Sequence, residues 1–117
     1  MIVDCPFKAR IVFLILSKEP ENALNQLSSH YEVQAPDIKI GMPKGKAKRR
    51  ACYNASIKTI FLSHRDVLDN PHVLLHEFYH HLRSRGGKHR GTEKLANEFA
   101  REFLIEYQKA TEQIPGK

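Results

Sequence analysis

The chain has 117 residues, 41% hydrophobic and 27% charged, with a net charge of +6, enough for one domain around one modest core and too apolar for disorder throughout. The longest apolar run, Ile11 to Leu16 between Arg10 and Lys18, falls far short of the roughly 20 residues of a membrane span. Asp4 ahead of it, with no small-residue cleavage site behind, does not read as a secretory signal, and the cytoplasm is the expected compartment.

In chain order, Phe7 to Ser17 is too continuously apolar to assign by periodicity, and helix is preferred over strand. Cys5 and Cys52 lack any CxxC partner and read as inert thiols, with a single disulfide between them as the alternative. Pro20 stands at a first helical position and Ala23, Leu24 and Leu27 follow at helical spacing, predicting a helix over Glu19 to Tyr31. Asp37 to Ile40 alternates and ends at Gly41, a short strand. Residues 41–50 form a loop whose Lys44, Lys46, Lys48, Arg49 and Arg50 read as a solvated basic run; no aromatic interleaves them, so nucleic-acid binding is the minority reading. A second basic group follows at Arg83, Arg85, Lys88 and Arg90.

Ala51 to Asn54 and Lys58 to Leu62 predict two further strands, joined as a hairpin through Asn54, Ala55 and Ser56. Asn70 and Pro71 then give an N-cap and first turn for a helix to about Arg83, Gly86 and Gly87 break it, and Thr92 caps a last helix from Glu93 to about Gln113. The apolar stripe of that helix is Ala96, Phe99, Ala100, Phe103, Leu104 and Tyr107. The expected architecture is a single α+β domain over residues 1–117 with a small antiparallel three-stranded sheet.

Residues 76 to 80 read His-Glu-Phe-Tyr-His, the H-E-x-x-H pattern. On a helix the two histidines lie one turn apart on one face and can converge on one cation, while Glu77, next along, can reach a water without binding the metal. Leu74, Leu75, Phe78 and Leu82 would fasten the other face to the core. A catalytic zinc needs a third protein ligand and an open position. Glu93 lies beyond the Gly86-Gly87 break and falls on the stripe with Ala96 and Ala100, where an uncompensated carboxylate would be costly. His89 is the competing third ligand. His81 points about 100° away from His80 and reads as a surface residue, as do His64 and His72. Arg83 and Gly86 occupy the positions where a metzincin has glycine and histidine, which excludes that class.

His76-Glu77-Phe78-Tyr79-His80 followed by Glu93-Lys94-Leu95-Ala96-Asn97-Glu98-Phe99-Ala100 resembles the ImmA/IrrE-type metallopeptidases and the minigluzincins, whose signature is H-E-x-x-H and then E-x-x-A-N-x-F-A. The resemblance covers roughly residues 53–107. It implies a minimal zincin-like gluzincin domain in which His76, His80 and Glu93 hold one zinc, Glu77 is general base and acid, and Asn97 supports the site. It also implies that the strand ahead of the active helix, here Lys58, Thr59, Ile60, Phe61 and Leu62, pairs with an extended substrate. Asn97 stands where larger gluzincins have Asp, as in the small relatives, and the first fifty residues carry no comparable signature. His89 in place of Glu93 would resemble the SprT-type proteases instead.

The expected reaction is hydrolysis of a protein or peptide substrate, with zinc polarising the scissile carbonyl and activating water, and Glu77 taking the proton and returning it to the leaving amine. Tyr53, Tyr79, Tyr107 and His81 are chemically able to assist an oxyanion, and nothing in the sequence selects one. Two other readings stand beside this one: a zinc-containing domain without turnover, and a DNA-associated module. The second draws on the ImmA/IrrE-type proteins, which act on transcriptional repressors. A tail from Gln108 to Lys117 able to fold back over the zinc would keep the enzyme latent. Monomer is the default assembly.

Overall fold

The computed structural model describes residues 4–45, 48–84 and 92–112. Its first helix, α1 (Asp4–Leu16), resolves the ambiguous apolar run. Phe7, Ile11 and Ile15 recur at i, i+4 and i+8 and are buried with Val12, whereas Phe13 and Leu16 face outward at 56% and 47% exposure. The helix is apolar on its exposed side as well, which is why periodicity failed to separate it from a strand. It ends in a Schellman arrangement, with Lys18 N–H donating to Ile15 O and Glu19 N–H to Leu14 O. Lys18 (φ 66°) occupies the left-handed position usually held by glycine.

Helix α2 (Pro20–His30) begins at its proline as expected. It closes the same way, with Glu32 (φ 58°) at the left-handed position and Val33 N–H donating to Ser28 O. Neither stop contains a glycine, so neither was visible as punctuation in the sequence.

Three four-residue strands follow, β1 (Asp37–Ile40), β2 (Ala51–Asn54) and β3 (Thr59–Leu62). The fold is α+β as expected, but the sheet is mixed rather than wholly antiparallel, in the order β1-β3-β2. β2 and β3 form the expected antiparallel hairpin, and β1 pairs with the other side of β3 in parallel. The hairpin turn is longer than expected, because Lys58 (φ 51°) belongs to the turn rather than to β3. β3 takes the centre because it is the most apolar of the three: Thr59, Ile60 and Leu62 are buried, while β1 is largely exposed. Ile40 and Ala51 both flank Leu62, so residues 41–50 connect the two outer strands at one end of β3. That span is about two strand spacings, roughly 10 Å. Gly41, at φ 116°, turns the chain away from β1.

After a 3₁₀ turn (Arg65–Asp69), α3 (Pro71–Leu82) starts as predicted, with the Asn70 side-chain oxygen accepting the Val73 N–H at 3.2 Å. α4 (Glu93–Glu112) likewise starts at Thr92, whose hydroxyl oxygen accepts the Leu95 N–H at 3.1 Å. Because α4 runs to Glu112, much of the segment expected as a latency tail is helix, and residues 113–117 lie outside the described residues. The core joins the inner faces of all four helices to the sheet through Ile11, Leu27, Ile60, Leu75, Phe78 and Phe103, all fully buried. No helix among the described residues is long and apolar enough to cross a membrane.

Phe78 fastens α3 from behind, its ring centroid 6.2 Å from that of Tyr31 and 5.8 Å from that of His81. Phe78→Ala is expected to lower stability by about 3–5 kcal/mol in urea unfolding. A loss below about 1 kcal/mol would show that this ring does not anchor the helix.

Candidate metal centre

The i, i+4 pair His76 and His80 on α3 faces the i, i+4 pair Glu93 and Asn97 on α4. Ala96 and Ala100 are fully buried beneath them, and their small side chains let the two helices approach closely. His76 Nε2 lies 2.7 Å from Glu93 Oε1, and His80 Nε2 lies 3.2 Å from Glu93 Oε2. One ligand atom from each of the three residues falls within 4.8 Å of the others, so they could hold a metal ion. Ligands about 2.0–2.1 Å from a tetrahedral metal stand roughly 3.3 Å apart, a spacing that the His80–Glu93 pair matches and the closer His76–Glu93 pair would have to widen to reach.

The chemistry of the donors supports the same fit. Asn97 Oδ1 can only accept, so His76 Nδ1–H donates to it at 2.8 Å. In the neutral ring, Nε2 then carries a lone pair aimed at a carboxylate oxygen. Electron-pair donors converge on one another here, and either a cation or imidazole protonation must relieve that repulsion. Without its partner, His76 would lose both its tautomer and its orientation. Asn97→Ala is therefore expected to weaken the binding of a divalent metal about 10- to 100-fold by competition with a chromophoric chelator. An unchanged affinity would remove Asn97 from the site.

One premise of the sequence reading is corrected. Glu93 is not buried on the apolar stripe: its side chain is 71% exposed, because the first turn of α4 overhangs the open side of the site. Its candidacy rests on convergence with the histidines, not on the cost of burial. Burial acts to raise its pKa, but the contact with His76 and the positive fields of His80 and Arg49 outweigh it, and the carboxyl is held below its ordinary value. Glu77 behaves oppositely. It is buried, and that burial, reinforced by Glu93 and opposed by His76 and Arg49, pushes its carboxyl up to about 7.

His81 is also corrected, from a surface residue to a buried one. Its Nε2–H donates to the Gln34 carbonyl at 2.6 Å, so Nδ1 accepts from Tyr53 Oη–H at 2.6 Å. Burial leads in holding His81 below its ordinary pKa, as this neutral tautomer requires. Ser84 Oγ lies 3.2 Å from Tyr53 Oη and donates to His81 O at 2.8 Å. Thus His81 ties α3 to β2 and to the chain ahead of β1, and its ring nitrogens are committed there. The hydrogen of Tyr53 is committed to His81. Tyr79 stacks obliquely on Phe99, centroids 5.4 Å apart, and Tyr107 packs on the core. His64 and His72 are exposed, as expected. His89, Arg85, Lys88 and Arg90 lie outside the described residues, as does Lys46.

The site opens into a cleft of about 580 Å³ whose lining includes Glu77, His80 and Glu93 on one side and Ala51, Cys52 and Tyr53 on the other. Cys52 is buried, and the side chain of Cys5 lies outside the described residues. The strand expected to meet substrate, Lys58, Thr59, Ile60, Phe61 and Leu62, cannot do so by pairing. β3 already uses both edges, one on β1 and one on β2. The strand beside the cleft is β2, which among the described residues pairs only with β3. The Arg50 carbonyl accepts the Ser63 N–H at 2.8 Å, which sets the antiparallel alternation. In that alternation the main-chain groups of Ala51 and Tyr53 face away from β3, toward the open edge.

Sequence reasoning missed β2 as the exposed edge, the buried role of His81, and Arg49, which lines the cleft with Lys44. The one available signal for Arg49 was its position two residues ahead of a strand. Family models, curated proteins and solved structures were compared with the chain, and none matches it.

Proposed function

We propose that the chain is a zinc-dependent metallopeptidase of the gluzincin kind, in which His76, His80 and Glu93 hold the metal and Glu77 is general base and acid. The observation that carries this reading is the convergence of those three ligand atoms within 4.8 Å beside a buried carboxyl, in a cleft bordered by a strand edge. Zinc, when bound, supplies Lewis acidity toward the scissile carbonyl and toward water.

The chain's own residues do the rest. Glu77 adjoins the ligands without being one of them, and its carboxylate can take a proton from water and return it to the leaving amine. Asn97 holds His76 in the tautomer whose Nε2 faces the site. The outward main-chain groups of Ala51 and Tyr53 can pair with an extended peptide laid along β2, which would carry a peptide bond past Glu77. The His81–Tyr53 bond ties that strand to the helix bearing Glu77 and His80, so peptide lane and proton acceptor keep a common frame.

A denatured or unstructured protein substrate tests the reading: cleavage should cease on dialysis against a chelator and return on adding zinc. A protein that takes up zinc stoichiometrically yet leaves every offered peptide intact would be a zinc-stabilised domain rather than an enzyme.

A further inference from the structure

The lining of the cleft includes two cations, Lys44 and Arg49, both from the connection between β1 and β2. The side chains of Lys44 and Arg49 are exposed, yet both line the same concavity as Glu77, His80 and Glu93. Even with Glu77 and Glu93 both ionised, Lys44 and Arg49 offset them before any divalent cation is counted. With a metal bound, the cleft is net positive, a setting that favours an anionic ligand.

The placement also narrows what the anion is. Arg49 lies two residues ahead of Ala51, so it stands at the beginning of the β2 edge along which an extended peptide can pair. A guanidinium there can grip a carboxylate through two parallel N–H donors, which a hydroxyl or amide cannot match. We propose that Arg49, assisted by Lys44, forms a carboxylate-binding subsite of the cleft, so that the chain selects peptides with an acidic side chain or a free terminal carboxylate beside the bond to be cut. This rests on the peptidase reading above and adds the substrate class to it.

The test uses zinc-loaded, full-length Glu77→Gln protein, which should bind peptide without consuming it, with zinc content measured on every sample. A single Glu is walked along a capped Ala-Ser octapeptide, each peptide is paired with its Gln twin, and the uncharged background is offered as C-terminal acid and as amide. The expected result is about tenfold tighter binding by calorimetry for at least one Glu peptide over its twin, or for the acid over the amide, which tells the two carboxylate sources apart. Adding Arg49→Gln should abolish the preference, and Arg49→Lys should restore part of it. With zinc at full occupancy, equal binding within every pair, no peptide binding at all, or a preference that survives Arg49→Gln each overturns the subsite. Failure to hold zinc overturns the peptidase reading itself, and the subsite with it.

Discussion

Glu77→Gln is expected to lower peptide hydrolysis by about 10²- to 10⁴-fold while leaving the zinc content unchanged. Gln keeps the size of the buried side chain but has no carboxylate to accept a proton. In the metal-free protein burial raises the Glu77 carboxyl to about 7 against the opposing fields of His76 and Arg49. Because Glu77 is not one of the three converging ligands, a change confined to proton transfer should separate from metal binding. Elemental analysis and a fluorogenic peptide assay on the same preparation check both halves. Loss of zinc together with activity would make Glu77 a structural or ligating residue. Full activity with zinc in place would falsify its role as base.

The second large effect concerns the ligands. His76→Ala, His80→Ala and Glu93→Ala should each reduce bound zinc from about one per chain to below about one tenth under dialysis that leaves wild type loaded, since each removes one of three protein donors. His89→Ala should retain zinc, because Glu93 already places an oxygen 2.7 Å from His76 Nε2 and the other 3.2 Å from His80 Nε2. The same comparison should appear in thermal unfolding. Zinc at about 100 times its dissociation constant stabilises a folded-state site by about 2.7 kcal/mol, an increment that the ligand variants forfeit. Zinc retained without Glu93 and lost without His89 would move the centre to a three-histidine set. Wild type that binds no zinc would reduce the His-Glu-Phe-Tyr-His segment to a helical coincidence.

These expectations draw unequally on sequence and structure. The helix carrying His76, Glu77 and His80 was legible because its signals are local: Asn70 and Pro71 start it, and a spacing of four residues puts both imidazoles on one face in any α-helix. Glu93 was read from its place just beyond the helix break and inside a capped start, whereas Asn97 was named only through the resemblance to the E-x-x-A-N-x-F-A signature. The burial argued for Glu93 was not legible, since exposure depends on where α4 ends up against α3. His81 was misplaced by an angle measured on an isolated helix; in the fold, β2 and the Gln34 carbonyl cover that side and turn it into a buried hydrogen-bonded residue.

What the sequence by itself determined is therefore the set of elements, apart from the undecided first helix, and the residues able to hold a metal, because caps, periodicity and one-turn spacings act within a few residues. Only the tertiary structure decided the strand order. The apolar β3 won the centre of the sheet, and β1 joined it in parallel at the far end of residues 41–50. That competition for burial left β2 as the edge beside the metal ligands and brought Lys44 and Arg49 into the cleft. Strand pairing is settled by contacts between segments far apart in the chain, and no local spacing records it.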